Sequence, residues 1–139
     1  MILNRVLLVD PNPSVYSDVS VDYGDASWTT VYDQDALTQK ILMIIATPIG
    51  TRKWRPKFGS RIRSMLFEPF NNITASWIGS EVKSALESVY NGLSEDITNI
   101  KVVCKPDPTT DTYWVKIDWT EVKLSNQNSY QFNLDPKRA

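Results

Sequence analysis

Between Thr74 and Trp119 the apolar residues change period, and no other feature of the chain restricts its fold as much. Trp77, Ile78, Val82, Ala85, Leu86 and Val89 recur at the 3.6-residue spacing of one helix face. Thr74 is the expected N-cap, the helix is expected to run to about Tyr90, and Gly92 to close it. From Ile100 the spacing becomes two. Ile100, Val102 and Cys104 alternate with Lys101, Val103 and Lys105. After a turn from Pro106 to Asp111, Tyr113, Val115, Ile117 and Trp119 alternate with Trp114, Lys116, Asp118 and Thr120. Side chains two apart share a sheet face, so this is a β-hairpin with one apolar face. A third strand is expected from Ser129 to Leu134, after the polar turn SNQN.

Two shorter helices are expected upstream. Asp35 can cap one that starts at Ala36 and carries Leu37, Ile41, Ile44 and Ile45 on one stripe, with Pro48 and Gly50 ending it. A second begins near Gly59, with Ile62, Met65 and Leu66 on one face, and stops at Pro69 and the Asn71–Asn72 pair. Before residue 35 there is no helical period. Arg5 to Val9 reads as a short strand and the rest as an irregular arm. Val15, Tyr16, Val19, Val21, Tyr23, Trp28 and Tyr32 make that arm too apolar for a solvated tail, so it must lie on its own domain or on a neighbour. The order predicts an α+β chain: about three helices packed on one face of a small antiparallel C-terminal β-meander, with an extended N-terminal arm. The expected division is residues 1–34 as arm and 35–139 as one α+β domain.

At 139 residues and 42% hydrophobic, the chain is long enough for one domain with a real core. Net charge is −1 but unevenly spread. Residues 1–35 hold six acids against Arg5. Residues 36–67 hold seven bases and no acid, and residues 68–139 hold ten acids against seven bases. Such asymmetry bears on partners. A single cysteine, Cys104, rules out an intramolecular disulfide and fits a reducing place of synthesis. With no histidine, Ser–His and Cys–His catalysis and zinc-enzyme sites are closed, and no cofactor or metal is expected. The apolar run in MILNRVLLVD is too short for a membrane span and lacks a cleavage site.

The basic stretch Thr47 to Pro69 is the main candidate site. It holds Arg52, Lys53, Arg55, Lys57, Arg61 and Arg63, with Trp54 and Phe58 among them. A phosphate loop wants consecutive glycines and a Lys-Ser/Thr pair, and Gly50 and Gly59 stand alone. A nucleic-acid platform would interleave aromatics and bases in this way, but an acidic arm directly precedes the stretch. Aromatics with arginines on a loop are the usual composition of a protein-interface core. Glu68, Glu81, Glu87, Glu95 and Glu121 offer carboxylates for glycosidase chemistry, and nothing in the sequence pairs two of them. Glu81 and Glu87 read as solvent-facing. Cys104, in an alternating strand, reads as a core residue. Trp114 and Trp119 point to opposite faces of one strand, and an aromatic edge invites strand addition.

One stretch resembles a known family. The run Ile44-Ile45-Ala46-Thr47-Pro48-Ile49-Gly50-Thr51-Arg52, then Arg55-Pro56-Lys57-Phe58-Gly59-Ser60, then Leu66-Phe67-Glu68, is similar to the signature of the small baseplate-wedge proteins of contractile-tailed phages. That family includes the equivalent component of type VI secretion systems. The resemblance covers roughly residues 15–122 and begins with Val15-Tyr16-Ser17-Asp18. It departs at Gly92–Thr98, where relatives carry Glu-Pro-Arg; Glu95 is the candidate to stand in for that glutamate.

The resemblance implies a non-enzymatic component of the virion tail baseplate, assembled in the host cytoplasm and present in several copies around a sixfold axis. Implied partners are larger baseplate wedge proteins, the tail sheath protein, and central hub or tube proteins, with neither nucleic acid nor membrane. Its sheet would template the first sheath ring by strand exchange. The candidate interface residues are Arg52, Lys53, Trp54, Arg55, Arg61, Arg63, Glu68, Glu95, Trp114 and Trp119. The alternatives are a nucleic-acid-binding accessory protein and a cell-wall lytic enzyme.

Overall fold

The computed structural model describes residues 16–19 and 30–138. Two short strands, β1 (Ser17–Val19) and β2 (Thr30–Tyr32), pair antiparallel. Helices α1 (Asp33–Ala46), α2 (Ile62–Met65) and α3 (Asn72–Glu87) follow, then a 3-10 turn, Val89–Asn91. Strands β3 (Ile97–Asp107), β4 (Thr112–Glu121) and β5 (Gln127–Leu134) form an antiparallel meander in the order β3-β4-β5. The fold is α+β with three helices and a C-terminal meander, as the change of period predicts. Among the described residues, no helix is long and apolar enough to cross a membrane.

The core lies between the helices and one face of the sheet. Ile41, Ile44 and Ile45 from α1, Ile78, Val82 and Leu86 from α3, and Tyr113, Val115, Ile117 and Trp119 from β4 are buried in one cluster. The register of the meander sets which residues share that face. Val102 pairs with Ile117 and Cys104 with Val115 on one side. Phe132 pairs with Val115 and Tyr130 with Ile117 on the other. Because α3 packs against β3, the inward residues of β5 (Tyr130, Phe132 and Leu134) stay only half-buried, at an edge that no other described strand pairs with.

Several boundaries differ from expectation. The helix expected from Ala36 starts at Asp33. Asp33 donates its N–H to the Tyr16 carbonyl (2.8 Å), and its carboxylate accepts the Tyr16 N–H (3.1 Å), so the helix begins where β2 leaves β1. The arm is therefore not irregular at 17–19 and 30–32, and Tyr16 packs on this chain's own core. The strand expected from Arg5 to Val9 lies outside the described residues.

Thr74 is not the cap of α3. Asn71 is, accepting the Thr74 N–H on its side chain at 2.8 Å. The Thr74 hydroxyl instead donates to the Pro69 carbonyl. The helix stops at Glu87, and Val89, expected on its apolar stripe, is 79% exposed. Trp77 also leaves the stripe, at 53% exposure. Glu81 is half-buried rather than solvent-facing and accepts the Arg61 N–H at 2.9 Å.

Candidate functional site

The connector between α1 and α2 is built by backbone bonds. The Thr47 carbonyl accepts the Ser60 N–H (2.9 Å), and the Ser60 carbonyl accepts the Ile49 N–H (3.2 Å), closing a short parallel bridge between Pro48 and Ser60. The Gly50 N–H donates to the Pro56 carbonyl at 2.9 Å and draws the loop shut. Gly59 sits at φ +113, a left-handed backbone that L side chains rarely adopt. This geometry drives Phe58 into the core and leaves Trp54 at the tip, 88% exposed.

A second clamp comes from a residue without any sequence signal. Asn91, buried in the turn after α3, accepts the Gly59 N–H (2.8 Å) and donates to the Gly59 carbonyl (3.2 Å). It also donates to the Ala85 carbonyl (2.7 Å), so one amide ties the loop to the end of α3. Only the three-dimensional closure of the chain brings positions 59 and 91 together.

The loop's cations rest on rings and carbonyls. The Arg52 guanidinium lies 4.0 Å from the centroid of the Phe58 ring, and Arg55 stacks on the same ring at 5.4 Å. Arg55 donates to the Tyr90 carbonyl at 3.1 Å. Lys57 donates to the Tyr90 hydroxyl at 3.2 Å and sits over that ring, and Lys53 lies 5.6 Å from the Trp54 ring. Among the described residues the ion pairs are Lys40–Asp96, Lys116–Asp118 and Lys137–Asp111, and none involves the loop. Trp54, Arg55, Pro56, Lys57, Phe58, Val89 and Tyr90 line a cleft of about 440 Å³.

The other candidates are dispersed. Arg61, Arg63, Glu68 and Glu95 are exposed in their own segments. Trp114 is half-buried on the outer sheet face, between Lys105 and Asn133 in register. Trp119 is a correction as an interface residue. At 1% exposure it is core, because its register sets it on the helix-covered face. Sequence reasoning also missed Phe67, Ile73 and Trp77 as exposed apolar residues around the start of α3. Their signal was the Ile73–Trp77 spacing of four, which puts both on one helix face.

Two groups bear on catalysis. Burial pushes the Cys104 thiol up to about 11, so at neutral pH it is not the thiolate that a nucleophile requires. Glu121 is 1% exposed at the end of β4, with Oε1 accepting from Asn128 and Oε2 without a hydrogen-bond partner among the described residues. Burial raises its pKa above the usual carboxylate range, and the charge of Asp33 adds to this. A raised carboxyl pKa means the folded state holds the proton more tightly than the unfolded state. Its contribution is full below the unfolded value and is lost as pH rises through the folded one. Glu121→Gln keeps the shape of the neutral acid. Its thermal midpoint should match the parent near pH 4 and exceed it at pH 8. A gap that does not grow with pH would count against this account of Glu121.

These features define a small α+β fold with an ordered aromatic-basic loop on its surface. No protein-family model matches the chain, and no curated protein does. Among solved structures, the chain resembles the crystal structure of a Geobacter sulfurreducens protein provisionally named a tail lysozyme. The two share 21% sequence identity at a TM-score of 0.66, over 78% of this chain and 96% of that one. At that identity the likeness is one of fold.

Proposed function

We propose that this chain is a structural component of a contractile-tail baseplate wedge. It docks on larger wedge proteins through the 50–58 loop and templates the first sheath ring by strand addition to its open sheet. The observation that carries the reading is that sheet. Strands β3 and β5 are each bonded on one side within the meander, and β5 leaves aromatic residues half-covered beside an edge that no other described strand pairs with. A long, unpaired edge is a template for a strand of another chain. The motif across residues 44–60 and the fold shared with a protein named for a tail support the same reading.

Co-assembly tests it. Trp54→Ala and Arg55→Ala should each abolish incorporation with larger wedge proteins. Folding stability should change by no more than about 0.5 kcal/mol for Trp54→Ala and about 1 kcal/mol for Arg55→Ala. Normal assembly by both variants would reject the loop as the docking element.

The name of the structural neighbour favours a second reading, cell-wall lysis. Glycosidase chemistry needs two carboxylates about 5–9.5 Å apart around the sugar bond. Glu68 and Glu95 are exposed on separate segments, and Glu121 is sealed in the core. The purified protein should not clear peptidoglycan. Clearing that disappears in Glu68→Gln or Glu95→Gln would replace the structural reading with the enzymatic one.

A further inference from the structure

The cleft between the loop and the Val89–Asn91 turn combines three properties. Its volume of about 440 Å³ lies in the lower part of the range of roughly 300–1,000 Å³ usual for recognition sites. Its walls include Trp54 and Val89, both strongly exposed, and Pro56, so an apolar side chain entering it would remove large apolar surfaces from water. Its rim carries Arg55 and Lys57, which have no carboxylate partner among the described residues.

These cations are already positioned. Arg55 is held on the Tyr90 carbonyl and Lys57 on the Tyr90 hydroxyl. Each uses one donor there, out of the five of a guanidinium and the three of an ammonium. A carboxylate that takes the remaining donors meets side chains whose ordering cost is already met. By engaging the Tyr90 carbonyl, Arg55 also covers an oxygen that would otherwise repel an incoming anion.

We infer that this cleft receives an acidic polypeptide segment of a partner, with one aromatic or large aliphatic side chain seated between Trp54 and Val89 and carboxylates on Arg55 and Lys57. The inference rests on the docking reading above and adds the chemistry of the partner to it. The wall mixes aliphatic Pro56 and Val89 with the Trp54 and Tyr90 rings, and a large protein side chain fits that mixed surface better than a nucleobase, which needs ring faces on which to stack. The +7 charge of residues 36–67, with no acid among them, supplies the complementarity.

The test is calorimetric titration of the full-length protein with a short peptide of aspartates and leucines around one tryptophan. Two further probes run beside it: the same peptide with asparagine for aspartate, and a single-stranded oligonucleotide. Expected are saturable binding that weakens with salt and at least about a tenfold loss on Trp54→Ala, on Lys57→Ala, or on the asparagine peptide. Circular dichroism confirms that each variant is folded. No saturable binding, equal binding of the asparagine peptide, indifference to Trp54→Ala, or tighter binding of the oligonucleotide each overturns the inference.

The two readings fail separately. If the peptide does not bind while Trp54→Ala still blocks co-assembly, docking stands and this partner chemistry falls. If the peptide binds while Trp54→Ala and Arg55→Ala assemble normally, the cleft reading stands and the wedge docking falls.

Discussion

Gly59→Ala is expected to destabilise the protein by about 3–5 kcal/mol, near the upper end for single substitutions. Two costs combine. At φ +113 any Cβ strains the backbone, typically by about 1–3 kcal/mol. The Cβ would also stand 2.2 Å from the Thr47 carbonyl oxygen, which is backbone and cannot swing aside. That oxygen accepts the Ser60 N–H, so making room opens the bridge that holds Phe58 in the core. Denaturant unfolding should show a lower midpoint at unchanged slope. A loss below about 1 kcal/mol would mean that the loop is not held as described.

The second large effect is expected at Asn91. Asn91→Ala removes three hydrogen bonds and leaves the Gly59 N–H and two carbonyls to find other partners in a buried site. An unmet buried polar group costs about 1–3 kcal/mol, so a total of about 2–4 kcal/mol is expected. Asn91→Asp should also destabilise, since a carboxylate cannot donate to the Gly59 and Ala85 carbonyls. Because Gly59→Ala and Asn91→Ala act through the same loop closure, the double variant should cost clearly less than the two losses added together. Simple additivity would show that the glycine and the asparagine stabilise separate things.

Both effects reach the candidate site. Asn91 adjoins Tyr90, whose carbonyl and hydroxyl hold Arg55 and Lys57, and Gly59 follows Phe58, on which Arg52 and Arg55 stack. The cleft is thus shaped by residues that do not line it. Trp54, by contrast, can be removed at little cost to folding, which separates a docking defect from a folding defect.

Much of the fold was legible because it depends on near neighbours. A helix joins residues three and four apart, and a strand alternates every second residue, so spacing alone marked α3 and the β3–β4 hairpin. The stripe from Leu37 to Ile45 is buried for the same reason. Spacing does not say how far a neighbouring element covers a face. Trp77 and Val89 fit the period of α3 yet are exposed, and the period continued two residues past the point where the helix ends. Thr74 and Asn71 are both good capping residues, and the backbone geometry at Asn71 decided between them.

The sequence by itself determined the α+β order, the alternation of β4 that gives it one apolar face, and the concentration of positive charge and aromatics between Thr47 and Pro69; that Trp119 is core and not an interface residue came from the structure. The tertiary structure alone decided that Asn91 clamps Gly59, that Glu121 is sealed in the core, and that Trp54 and Val89 share one cleft with Arg55 and Lys57. The reason is sequence separation. Local spacing encodes contacts within one turn or one strand, whereas the loop and the turn after α3 lie more than thirty residues apart. They meet only once the helices have packed on the sheet.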